Sequence, residues 1–189
     1  MFLPNPSIRL IDGPRIAQVS TTQRQEKLGD SVSALVDLNA IDLSATLATR
    51  EQMFELIPHR FEMALLDRVI WASEDNSSGV GALTVKGDEF WVRGHFPERP
   101  MFPGVLMVEA GAQLACYLYN RYFDGLHLAA FLRIEHAVFR RSVTVGEEML
   151  LVCKGIKVTP RRFISDVEGI VDGQICFEAK ITGMRIGDK

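Results

Sequence analysis

Two side chains in this sequence suit acid/base chemistry by type and setting, His95 and Glu109. His95 lies in Gly94-His95-Phe96-Pro97-Glu98-Arg99-Pro100-Met101-Phe102-Pro103-Gly104, a loop stiffened by three prolines. The loop runs without a break into Val105-Leu106-Met107-Val108-Glu109-Ala110-Gly111-Ala112-Gln113, which reads as the start of a helix. Apolar residues from Val105 to Leu118 surround Glu109 on the helical wheel, so the helix is expected to be buried all round. A carboxylate in that setting is either paired or held partly protonated by desolvation. An imidazole reaching the same space completes an acid/base pair. Histidine beside proline more often only packs a loop, whereas a carboxylate in an apolar helix seldom goes without a partner. Found together across a Pro-Gly helix start, they point to a site. Glu109 is five residues past Gly104, roughly 7–8 Å along the axis. His95 therefore approaches only the mouth of its own helix, and a site shared across a dimer is expected.

The elements that must hold this pair follow from size and pattern. At 189 residues the chain is one domain plus an extension. Apolar content of 47% and charged content of 24% fit an ordinary globular protein, and a net charge of −3 argues against general nucleic-acid binding. Cys116, Cys153 and Cys176 are odd in number, sit in apolar segments and lack metal-like spacing. They read as buried free thiols in a reducing compartment. No apolar run approaches the ~20 residues of a membrane span. The N-terminus has no basic region leading into an apolar core, so no secretory signal is expected and the cytoplasm is the expected location.

Residues 1–47 differ from the rest. Prolines at 4, 6 and 14 and the polar run 21–27 show weak periodicity, and residues 31–41 predict a short amphipathic helix. This segment reads as an extension of unknown role, a flexible arm or an extra dimer contact, with residues 32–47 apolar enough to cover a dimer or a pocket mouth. Thr49 reads as the cap of a helix carrying Met53, Phe54, Leu56 and Ile57 toward Pro58. Residues 64–72 and 80–85 predict a hairpin around Asn76-Ser77-Ser78-Gly79. The long helix is expected over about 104–122. Strands follow at 127–139, 149–158, 163–171 and 175–184, with turns at Thr159-Pro160-Arg161 and Asp172-Gly173. Two strands, a buried helix and four strands predict an α+β fold, an antiparallel sheet curled around one long central helix.

This order and these residues resemble the hot-dog-fold 3-hydroxyacyl-acyl carrier protein dehydratases of the FabZ/FabA type. The resemblance spans about residues 57–184, and residues 48–189 are taken as the dehydratase domain. Four stretches carry it: Pro58-His59-Arg60-Phe61 leading to Leu66-Asp67-Arg68-Val69; Gly94 to Gly104; Val105 to Gln113; and Phe131-Leu132-Arg133-Ile134 with Ala137-Val138-Phe139-Arg140-Arg141. In that family the loop histidine and the acid of the central helix form the catalytic dyad, one from each subunit. The spacing here, 109 − 95 = 14, matches, and glutamate is the acid of the FabZ branch, whereas the isomerising FabA branch uses aspartate. Glu98, Phe102 and Glu62-Met63-Ala64 depart from the usual residues near the expected tunnel mouth, and none removes a dyad member.

The resemblance implies dehydration of a 3-hydroxyacyl thioester to the trans-2-enoyl product. Gly104 and Val105, at the helix N-terminus, would offer backbone N–H groups to the thioester carbonyl. Neutral His95 would take the C2 proton, and Glu109 would protonate the leaving C3 hydroxyl. Gln113, one turn on, can hold the Glu109 carboxyl in one rotamer or simply face a water. His59 and Arg60 are expected to brace their loop, and His136 to lie exposed. No metal or cofactor is expected, because no His/Cys/Asp cluster has metal spacing and no nucleophile setting appears. The implied partners are an acyl carrier protein bearing the substrate on phosphopantetheine, and a second copy in a homodimer or trimer of dimers. Nucleic acid and membrane are not expected. Arg121, Arg140, Arg141, Lys154, Lys157, Arg161 and Arg162 could form a positive rim for the carrier, or simply be scattered solvated charge. The other readings are a hot-dog thioesterase, which the loop pattern disfavours; a dehydratase of a specialised lipid or polyketide pathway; and a catalytically silent hot-dog partner subunit.

Overall fold

The computed structural model describes Ser33 and residues 35–188. It contains strands β1 (Ala48–Thr49), β2 (Arg68–Ala72), β3 (Ser78–Thr84), β4 (His127–Phe139), β5 (Glu148–Thr159), β6 (Arg162–Val171) and β7 (Gln174–Asp188). The helices are α1 (Arg50–Met53) and α2 (Gly104–Tyr122). The strands form a single antiparallel sheet in the order β1-β2-β3-β5-β6-β7-β4. This is the predicted hot-dog arrangement, with α2 lying against the concave face of the sheet.

Alternation along the strands sets the two faces. Met149, Leu151 and Cys153 of β5 point toward α2 and are at most 1% exposed, while Val152 points to the other side. Helix and sheet approach closely where glycine removes a side chain. A Cβ on Gly79 would stand 2.8 Å from Leu118, and one on Gly111 would stand 3.1 Å from Val167. The β6–β7 turn places Asp172 and Gly173 at φ 51° and 74°, the two left-handed positions of a tight hairpin.

Thr49 caps α1 as the sequence predicts, in a capping box with Gln52. Asp67 is a structural hub in the Leu66-Asp67-Arg68 stretch. It accepts from the Thr84 backbone N–H at 2.7 Å and pairs with Arg50 and Lys86, and Arg68 pairs with Glu148 at 2.8 Å. Burial pushes the Asp67 carboxyl up, but the Thr84 N–H and the two cations outweigh it and hold the group below its usual range.

The segment before β1 differs from expectation. Residues 1–32 and 34 lie outside the described residues, including the prolines, the polar run and the start of the expected amphipathic helix. Among its described residues the one helical element is a 3-10 turn, Leu38–Ala40. The Asp37 carboxylate accepts from Asn39 N–H, and Asp42 accepts from Ser44 N–H. These local bonds compete with helix propagation. Leu35, Val36, Leu38, Ile41 and Leu43 lie on the outer face of the sheet, against Ile70, Val80, Ala82, Val152 and Ile170. Ser33 Oγ donates to Glu168 Oε2 at 2.9 Å. Leu38 is 2% exposed, so Leu38→Ala should cost about 2–5 kcal/mol. A urea melt would measure it, and turnover in the cold should be unchanged because α2 lies on the opposite face.

Candidate active site

The His95 loop rests on two buried aromatics. Trp91 is 5% exposed and Phe102 is 3% exposed, and their rings meet edge to face with centroids 5.5 Å apart. His95 N–H donates to Trp91 O at 2.8 Å, Met101 N–H to His95 O at 2.9 Å, and Phe102 N–H to Val143 O at 2.7 Å. The imidazole Nδ1 lies 2.8 Å from Met101 O. A carbonyl can only accept, so Nδ1 carries the proton and Nε2 of the neutral ring keeps its lone pair for a substrate proton.

Gly104 and Val105 open α2 behind Pro103, which supplies no side-chain cap. Their N–H groups meet no acceptor among the described residues, as expected of a first helical turn left for a ligand. Gly104 also packs under the Phe139 ring, 2.8 Å from where its Cβ would be.

The expectation that α2 is buried all round needs correction. Val105 is 74% exposed, and the Glu109 side chain is 20% exposed. The sheet covers most of the helix, but the stripe that carries positions 105, 109 and 112 is left partly open. Glu109 faces that opening. Beside it lies a cavity of about 160 Å³ lined by His59, Glu109, Ala112, Cys116, Phe131 and Phe163, among others. His95 is not among the residues lining it, so within one chain the two residues of the expected dyad do not share this cavity.

Gln113 is fully buried and its amide is fully engaged. Its Nε2 donates to Glu109 Oε1 at 2.9 Å and to Met63 O at 2.7 Å, and its Oε1 accepts from Leu65 N–H at 3.1 Å. Of the two options for Gln113, the structure has the contact with the carboxyl. The Leu65 N–H fixes which end of the amide is oxygen. His59 differs from its expected bracing role. Arg60 does the bracing, donating to Phe54 O, Ile57 O and His59 O with its guanidinium over the Phe54 ring. His59 instead turns inward, and its Nε2 lies 3.3 Å from Glu109 Oε1. Sequence reasoning missed this contact, because 50 residues separate the pair and no local period links them.

The three cysteines are free and buried, as expected. Burial pushes the Cys116 and Cys153 thiols up to about 12 and the Cys176 thiol to about 11, so none is a nucleophile near neutral pH. Among the described residues no three His, Cys, Asp or Glu side chains stand together as metal ligands. No helix among them is long and apolar enough to cross a membrane.

The family model of the FabA-like domain matches residues 57–180. The 3-hydroxyacyl-[acyl-carrier-protein] dehydratase FabZ of Agrobacterium fabrum is 36% identical over 150 residues, 78% of this chain and 97% of that protein. The enzyme of the same name from Brucella abortus is 38% identical over 152 residues, 78% of this chain and 90% of that one. Among solved structures, the dehydratase heterocomplex ApeI:P from Xenorhabdus doucetiae matches with a TM-score of 0.60 at 15% identity, covering 70% of this chain and 90% of that chain, a likeness of fold. The helix wrapped by an antiparallel sheet, the histidine loop at its N-terminus and this match over well more than half of its length agree: the chain belongs to the FabA-like family.

Proposed function

We propose that this protein dehydrates 3-hydroxyacyl-acyl carrier protein thioesters to trans-2-enoyl thioesters in fatty acid synthesis. One observation carries the reading: Glu109 stands at a mainly apolar cavity with one carboxyl oxygen held by Gln113 and the other free to carry a proton. The thioester carbonyl accepts from the N–H groups of Gly104 and Val105, which makes the C2 hydrogen more acidic. Nε2 of His95 takes that proton. The C2–H electron pair becomes the C2–C3 double bond, the C3–O bond breaks, and the oxygen leaves as water with the Glu109 proton. Gln113 keeps the carboxyl in place.

The His95 that meets a given Glu109 is that of a second copy in this reading. The edge strand β4 supports it, because among the described residues its outer edge has no neighbour strand and Phe131, Leu132, Ile134 and Phe139 are all exposed. A 13-residue apolar edge of this kind is a template for pairing with another chain. A two-fold pairing there would set the open side of one helix against the other copy, giving a homodimer with two shared sites, which can assemble further into a trimer of dimers. The acyl carrier protein would dock at the rim. Of the expected basic residues, Arg140 and Arg141 are engaged by Glu178 and Glu147, which leaves the docking charge to others. The dehydratase unit is taken as residues 48–189 with residues 1–47 as an extension, and the reaction is placed in the cytoplasm, in keeping with three free thiols.

The test follows absorbance of the enoyl thioester, with 3-hydroxyacyl carrier substrates of several chain lengths. Enoyl formation from saturated 3-hydroxyacyl chains is expected. Turnover confined to substrates of a specialised pathway would move the protein to that pathway, and no turnover with any would make it a silent partner subunit.

A further inference from the structure

The inward turn of His59 places a second polar group, beside the Gln113 amide, on the Glu109 carboxyl, and that contact goes beyond the His95–Glu109 pair. His59 Nε2 lies 3.3 Å from Glu109 Oε1, and Gln113 Nε2 donates to the same oxygen at 2.9 Å. Glu109 Oε2 has no hydrogen-bond partner among the described residues. The imidazole is held from behind: Arg60 ties the loop through Phe54 O, Ile57 O and His59 O.

His59 Nδ1 is buried and has no hydrogen-bond partner among the described residues. A proton there would be a buried donor without an acceptor, which carries its full desolvation penalty. A bare ring nitrogen is the cheaper occupant. The proton of the neutral ring therefore sits on Nε2, pointing at Glu109.

We infer that His59 is a positioning residue that acts through Glu109: its Nε2–H and the Gln113 amide hold Oε1, which keeps the transferable proton on Oε2. The inference rests on the proposed dehydration. When Glu109 gives up its proton, charge gathers on the carboxylate and both N–H bonds to Oε1 become charge-assisted and stronger. Interactions that strengthen as the reaction proceeds raise kcat rather than lower KM. His59 touches no reacting atom in this scheme. It holds the Glu109 carboxyl in one fixed rotamer.

The experiment compares His59→Ala, His59→Met and His59→Gln with wild type in the enoyl-thioester assay, each first checked by thermal melting. Met fills the space without a donor, whereas Gln restores an N–H. Loss of the donor should lower kcat about 10- to 100-fold. KM should move less than about threefold. His59→Gln should recover most of the loss. Wild-type kcat in His59→Met, a rise in KM alone, or an equal loss in Met and Gln variants would overturn the inference. If Ala does not fold, the Met and Gln pair still decides. An activity-independent arm reads the ring directly: ¹⁵N–¹H spectra should show His59 as the Nε2–H tautomer, identified by its absence in His59→Gln. A His59 whose neutral ring carries its proton on Nδ1 would overturn the inference even in an active enzyme. An inactive wild type with an Nε2–H His59 would overturn the proposed reaction and leave the His59–Glu109 geometry standing.

Discussion

His95→Ala should reduce kcat/KM by about 10²–10⁴-fold, the usual consequence of losing a general base. The ring is half-exposed in its loop, so its removal takes away chemistry rather than core volume. Trp91 and Phe102 remain to anchor the loop, and the melting temperature should stay close to wild type. The bond from Nδ1 to Met101 O makes the prediction specific to His95, because it commits the neutral ring to a bare Nε2. Steady-state kinetics beside a thermal melt separate the outcomes. Activity within threefold of wild type would remove His95 from the reaction. A collapsed melt would make it a structural residue.

Glu109→Gln should be as inactive as His95→Ala, yet a mixture of the two proteins should regain turnover. Gln keeps the size of the side chain but has no proton of the right kind to give. After full exchange of equal amounts, half of the dimers would pair one chain of each kind. Each such dimer would hold one site with both native side chains and one with neither, so about a quarter of all sites would recover. The expectation rests on the open edge of α2 and on the absence of His95 from the cavity beside Glu109. No recovery after exchange is verified by mass spectrometry would sink the shared site and place both residues in one chain.

Much of the fold was legible in the sequence because its signals are local. The helix at Gly104–Tyr122 appears where a Pro-Gly start meets an apolar run, and β4 coincides with the predicted 127–139. Asp172-Gly173 marks its turn because few residues tolerate two left-handed positions in succession. The pair His95 and Glu109 was also readable, since loop, helix start and acid all lie within fifteen residues. Over the described residues 35–41 the expected amphipathic helix does not form: the apolar count resembles an amphipathic face, while Asp37 and Asp42 turn the backbone aside.

What tertiary structure alone decided has one physical cause, namely contacts between residues far apart in the chain. Local periodicity reports which face of an element is apolar, but not what covers it. That α2 is partly open along Val105, Glu109 and Ala112 depends on which strands cover it, in a sheet whose order departs from chain order and ends in β4. That residues 35–43 lie over the outer sheet face rather than a pocket mouth depends on the apolar patch around Ile70, Val80 and Val152. His59 is the sharpest case. In the sequence it is a polar residue after a proline, and only the folded chain turns it onto Glu109 while Arg60 takes the bracing role.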